Sequence, residues 1–149
     1  MYSFTQSEGH GAVPEAALAQ DGAGNLFGTT GGGGTLSSDG TIFELACKSY
    51  NTATPSCTNY SPADTVLFAF NWQNNLAGGS PSAGLILDGA GNLFGTTAYI
   101  AGETGDLVEL ACTSYNTSTR SCSTYSNNYA ELVSFNGLRA CLRSMVQMW

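Results

Sequence analysis

Asp88-Gly89-Ala90-Gly91-Asn92-Leu93-Phe94-Gly95-Thr96-Thr97 repeats, letter for letter, the earlier stretch Asp21-Gly22-Ala23-Gly24-Asn25-Leu26-Phe27-Gly28-Thr29-Thr30, 67 residues on. An identity of that length means that one supersecondary unit has been copied, and such units bury their apolar surface by stacking on neighbours. Within each stretch Asp, Asn and two glycines give way to β-forming residues. The Asp carboxylate can accept a backbone N–H two residues on. Gly22 and Gly24, like Gly89 and Gly91, are read as supplying positive φ, so the stretch is a turn that leads into a strand.

Outward from the turn, each copy reads as four extended segments. In the first copy they cover residues 14–20, 26–30, 41–47 and 65–70; in the second, 81–87, 93–97, 106–112 and 131–136. A flexible glycine-rich run over 31–40 and polar, turn-prone runs after Cys47 and Cys112 connect them. The organisation expected is the end of a preceding blade over 1–13, a β repeat over 14–70, a linker over 71–80, a second β repeat over 81–137 and an off-pattern tail over 138–149. The fold class is all-β, two four-stranded antiparallel repeats arranged like the blades of a partial β-propeller. A two-sheet β-sandwich with one sheet from each copy is the alternative. A closed propeller takes about 4–8 blades, so two leave faces and edges open for further blades of a parent chain or for a homo-oligomer.

Of the 149 residues only 10% are charged and 19 are Gly, yet 42% are hydrophobic, including seven Phe and seven Tyr, enough to build a core. Four basic residues against eleven acidic ones give a net charge of −7. That repels phosphate backbones and anionic lipid, so nucleic acid is not expected as a partner. Membrane insertion is not expected either, because no apolar run reaches the roughly 20 residues of a spanning helix. Met1-Tyr2-Ser3-Phe4 reads as the end of a fourth segment rather than a leader, so the chain is expected to be a fragment of an exported protein. The tail from Leu138 to Trp149 holds two Arg and two Met. A reading-frame slip or truncated gene model is the expectation there, and Leu138, Leu142, Met145, Val146 and Trp149 fall at helical spacing.

Cys47 and Cys57 enclose nine residues, as do Cys112 and Cys122, so pairing within each loop is the economical one of three connectivities; Cys141 is left over. Closing such a loop contributes roughly 2–3 kcal/mol on the chain-entropy estimate and points to an oxidising, extracellular or cell-surface location. With one His and no Cys-x-x-Cys, zinc is disfavoured and no cofactor is expected. Calcium could use the oxygens around Asp21 and Asp88. One carboxylate per turn is too few for a tight site, and the Asx turn accounts for the same residues.

Glu44 and Glu109 hold equivalent strand positions. A glycosidase pair needs two carboxyls about 5–9 Å apart in different environments, whereas a repeated position generates a pattern, so no catalytic residue is assigned. His10 lacks a nucleophile motif nearby and reads as a solvated loop residue. Tyr50, Tyr60, Tyr115 and Tyr125, with Trp72, stand on or near polar loops. They can stack on sugar rings, or pack over their own disulfides. Asn59 and Asn116 fit the glycosylation acceptor pattern, which is common in such loops.

The run Pro81-Ser82-Ala83-Gly84-Leu85-Ile86-Leu87 followed by the Asp88 to Thr97 stretch, with strands of the Phe43-Glu44-Leu45 and Phe68-Ala69-Phe70 type, resembles the tandem GloVer repeat of exported bacterial proteins. More distantly, the Asp-x-x-Gly-Asn-Leu core is similar to repeats of sensor-type β-propellers. The resemblance implies a β-propeller in a secreted or surface protein and no catalytic residues; the cysteine-closed loops are insertions relative to it. The function expected is a non-catalytic binding or structural surface module for a glycan or protein ligand. A piece of an extracellular polysaccharide hydrolase or lyase, and a purely structural cell-surface spacer, are the competing readings.

Overall fold

The computed structural model describes residues 4, 9–34, 39–71, 79–98 and 105–135, and every regular element among them is a β-strand. Each copy forms a four-stranded antiparallel sheet with its strands in chain order. The first sheet takes Ala19–Gln20, Leu26–Thr30, Thr41–Leu45 and Thr65–Ala69; the second takes Ile86–Leu87, Leu93–Thr96, Asp106–Leu110 and Ala130–Ser134. Val, Ile, Phe, Leu and Thr fill these strands, side chains that suit a half-buried pleated surface. Both sheets carry a register shift at the same place, between Ile42 and Phe43 and between Leu107 and Val108. Neither sheet closes on itself.

Several segments differ from the expectation. Of residues 14–20 only Ala19–Gln20 joins the ladder, and of 81–87 only Ile86–Leu87. The rest crosses its own sheet, where Leu18 lies over Gly28 and Leu85 over Gly95, filling space left by the missing side chain. The third strand stops at Leu45 and at Leu110, because each cysteine opens a separate two-stranded hairpin. Cys47–Asn51 pairs with Ser56–Tyr60, and Cys112–Asn116 with Ser121–Tyr125. The runs read as polar loops are therefore ladders, each bridged by a disulfide, Cys47–Cys57 at 2.03 Å and Cys112–Cys122 at 2.00 Å. An Asx turn closes each tip: Asn51 Oδ1 accepts the Ala53 N–H at 2.9 Å and Asn116 Oδ1 the Ser118 N–H at 2.9 Å. Within the glycine-rich run, Gly32–Gly33 pairs with Gly11–Ala12. Trp72, Cys141 and the whole 138–149 tail lie outside the described residues.

The two sheets share one core. Phe27, Ile42 and Phe70 come from the first copy, and Leu85, Leu93, Val108 and Leu110 from the second. Aromatic edges cross the seam, Phe27 to Tyr125 at 5.9 Å between centroids and Phe68 to Tyr129 at 5.1 Å. Polar groups cross it too, with Thr29 Oγ1 donating to the Ala83 carbonyl at 3.0 Å.

Register fixes which faces meet. In the first sheet Phe27 stands opposite Glu44, and that face is buried against the second copy. In the second sheet the equivalent pair, Phe94 and Glu109, shares the opposite face with Ile86, which is 69% exposed. There the buried face carries Leu93, Val108 and Leu110. The sheets therefore pack by opposite faces, the Phe27 side of one against the Leu93 side of the next.

Candidate functional site

The duplicated turns are built alike down to single hydrogen bonds. Asp21 Oδ1 accepts the N–H of Ala23 at 3.0 Å and of Asn25 at 2.9 Å, while Oδ2 accepts Asn25 Nδ2 at 2.9 Å. Asp88 does the same with Ala90 and Asn92 at 2.9, 2.8 and 2.8 Å. Each Asn then bolts its turn to the following hairpin: Asn25 Oδ1 accepts the Cys47 N–H and Asn92 Oδ1 the Cys112 N–H, both at 2.8 Å. Gly24 at φ 84° and Gly91 at φ 82° take the left-handed conformation. A Cβ there would also lie 2.6 Å from the Tyr50 ring and 2.8 Å from the Tyr115 ring. Each tyrosine thus rests on its own turn, opposite Cys57 or Cys122 across the hairpin.

Gly22 does not have positive φ, which corrects its reading as a left-handed position, and neither does its counterpart Gly89. Gly22 is small for a different reason. Its N–H donates to the Arg120 carbonyl at 3.0 Å, and a Cβ would sit 2.6 Å from Arg120 Cβ and 2.7 Å from the Thr119 carbonyl oxygen. The tip of the second hairpin covers the first turn. Around Gly89 nothing lies within 4 Å of that position.

Arg120, at φ 52°, separates two shallow grooves. One, of about 410 Å³, runs between the hairpins and is lined by Tyr50, Thr52, Pro55, Ser118, Thr119 and Arg120. The other, of about 420 Å³, runs between the turns and is lined by Gln20, Asp21, Leu87, Asp88, Tyr115 and Arg120. Arg120 lines both grooves, and no ion pair to its guanidinium forms among the described residues. The slight burial of Asp88 pushes its pKa up, but hydrogen bonds from Asn92, Ala90 and Gly91 outweigh it and hold the carboxyl below the usual range.

Other residues fall elsewhere. Tyr125 lies in the seam, its hydroxyl buried without a hydrogen-bond partner among the described residues. Burial first, then the charges of Glu44 and Asp21, push its pKa well above the ordinary phenol value. Tyr60 is half-buried opposite Cys47. Glu44 is pushed up by burial, then by Asp21, with Lys48 opposing. Glu109 stands on the open face of the second sheet, so the two equivalent glutamates have different surroundings. His10 lies in a loop as expected, with its side chain 38% exposed, but its Nδ1 lies 2.6 Å from Oδ1 of the buried Asp64. Among the described residues no group of three or more His, Cys, Asp or Glu gathers as a metal site, and no helix is long and apolar enough to cross a membrane.

The Glu44 and Tyr125 contacts give a pH test. A carboxyl raised in the folded state favours folding below its unfolded value of about 4.5 and loses that contribution as pH rises through the folded value. Urea midpoints of Glu44→Gln should therefore vary less with pH above about 4.5 than those of the parent, and lie higher at pH 7. An unchanged pH slope would refute it. Tyr125→Phe removes an unpaired buried hydroxyl and should be neutral or stabilising by up to about 1 kcal/mol.

The Asn bolts, the cover over Gly22 and the His10–Asp64 pair were missed in the sequence. The near-constant Asn-to-Cys separation, 22 residues in one copy and 20 in the other, was the available signal for the first. No family model, curated protein or solved structure matches this chain.

Proposed function

We propose that the chain is a section of an exported β-propeller-like repeat protein of the GloVer type, working as a non-catalytic surface module that binds glycans. Its two four-stranded sheets are then adjacent blades. Packing by opposite faces favours blades over the sandwich alternative, because a sandwich of two equivalent sheets would bury the same face of each. Two disulfides fit an oxidising, extracellular setting.

The observation that carries the binding reading is Arg120, without an ion pair among the described residues and shared by two grooves, with equivalent tyrosines Tyr50 and Tyr115 on either side. An aromatic ring offers a sugar its apolar face, while the guanidinium, the hydroxyls of Thr52, Ser118 and Thr119, and the Asp88 carboxylate answer the sugar hydroxyls. Shallow grooves suit a chain passing along a surface. Each tyrosine is already seated on a turn glycine, so little side-chain freedom is lost on binding.

A glycan array followed by titration with the full chain tests this, beside an assay for turnover of the same polysaccharides. Binding weakened at least tenfold by Arg120→Ala and by Tyr50→Ala, measured well below the melting temperature of each variant, is the expected result. Absence of binding across the array would reject it. The half-buried, pKa-raised Glu44 beside Tyr125 is the observation favouring a hydrolase, and turnover abolished by Glu44→Gln would put that reading in its place.

A further inference from the structure

The two outer surfaces of the sheet pair are twins of the surfaces already buried between the sheets. Leu18 and Leu85 stand at equivalent positions, a methyl of each 2.7 or 2.8 Å from where a Cβ on Gly28 or Gly95 would lie. Leu85 is 7% exposed because the first sheet lies against it, whereas Leu18 is 52% exposed. On the other side of the seam Phe27 is fully buried, while its twin Phe94 is partly exposed opposite Ile86, with Val133 opposite Leu107 farther across the sheet. The internal contact joins a Phe27 face to a Leu85 face. Among the described residues one face of each kind has no such counterpart, the Leu18 face on one side and the Phe94 face on the other.

We propose that the Phe94 face of one molecule docks the Leu18 face of a second copy, head to tail, repeating the contact that joins its own two sheets. This rests on the stacked-blade reading above. The contact is heterologous, since each copy uses two different surfaces. Tyr60, the twin of Tyr125, is the ring that comes over Phe94 as Tyr125 lies over Phe27. The receiving surface already has an apolar groove of about 290 Å³ lined by Pro14, Ala16, Leu18, Phe43 and Leu45, with Phe4 at its edge.

Two differences make it weaker than the internal contact. Pro55 replaces Arg120 at the hairpin tip, and proline cannot take φ 52°, so the cover over Gly89 is not rebuilt. Phe4 also lies against Phe43, at 5.0 Å between centroids, on part of the receiving face. Association in the micromolar range, visible only on concentrating the protein, follows from such a partial match.

Sedimentation velocity on the full chain between about 1 and 200 μM tests the proposal. The 15.4 kDa species should give way to dimers and longer assemblies on concentration. Ile86→Asp spoils the sending face and Leu18→Asp the receiving face, both at exposed positions, and each variant alone should stay monomeric. Mixed, they should form a one-to-one dimer that grows no further, because each keeps one intact surface. Val133→Asp and Leu18→Lys replace them if either fails to fold. A parent protein that stays monomeric, a single variant that still dimerises, or a mixture that does not pair would each overturn the proposal. Glycan binding by monomeric Ile86→Asp reads the proposed function separately, and comparison of Phe27→Ala with Phe94→Ala reads the stacked-blade arrangement.

Discussion

Phe27→Ala is expected to destabilise the chain by about 3–5 kcal/mol, and Phe94→Ala by about 1 kcal/mol or less. Both residues sit in the same ten-residue sequence, each opposite a glutamate of the neighbouring strand. Local propensity and ladder pairing are therefore matched. What differs is the neighbour. Phe27 is fully buried with the Tyr125 ring edge-on at 5.9 Å, and its removal leaves a cavity in the core that both sheets share. Phe94 is partly exposed on the face it shares with Ile86, so its loss opens less of a cavity. Urea denaturation followed by far-UV circular dichroism, at a concentration where the protein is monomeric, measures the two losses. A loss of 3–5 kcal/mol is a large share of the 5–15 kcal/mol typical of a domain, so Phe27→Leu provides a milder variant if the alanine protein does not fold. Equal losses at the two positions would mean that the sheets do not depend on one another.

The elements that local chemistry decides were legible in the sequence. Asp21 and Asp88 form the Asx turns expected, and the second, third and fourth segments of each copy form sheet strands within a residue or two of their expected ends. The hairpins were not legible because Lys48-Ser49-Tyr50-Asn51 and Thr113-Ser114-Tyr115-Asn116 have no alternating apolar pattern. A disulfide and an Asx-closed tip hold those ladders, and neither depends on burying a face. The site was legible only in part. Tyr50 and Tyr115 could be picked out as aromatic residues on polar segments, but Tyr125 is the same residue type at the end of the same kind of hairpin, and only the second sheet's position turns it into the seam. Arg120 escaped notice because its role comes from a contact with Gly22, far away in the chain. No local pattern records such a contact. The partner of His10 was not legible for the same reason, Asp64 lying 54 residues away in the chain.

Gly22→Ala is expected to cost about 1–3 kcal/mol, a fall in Tm of roughly 2–4 °C per kcal/mol for a chain of this size, while Gly89→Ala should be neutral or slightly stabilising. Glycine is not needed at either position for φ, since neither backbone is left-handed. The added methyl at Gly22 meets Arg120 Cβ and the Thr119 carbonyl, and relieving that overlap pushes the second hairpin off the turn and stretches the Gly22 to Arg120 hydrogen bond. At Gly89 the methyl meets nothing, and the alanine narrows the unfolded ensemble at little cost to the native state. Thermal melts of the two variants separate these effects, because the flanking sequence is identical and only the copy-to-copy contact differs. Gly22→Ala should also weaken glycan binding, since it displaces Arg120 from between the two grooves. Matched Tm losses at Gly22 and Gly89 would instead mean that the turn itself demands glycine there, and the hairpin cover would then have no part in holding the two copies together.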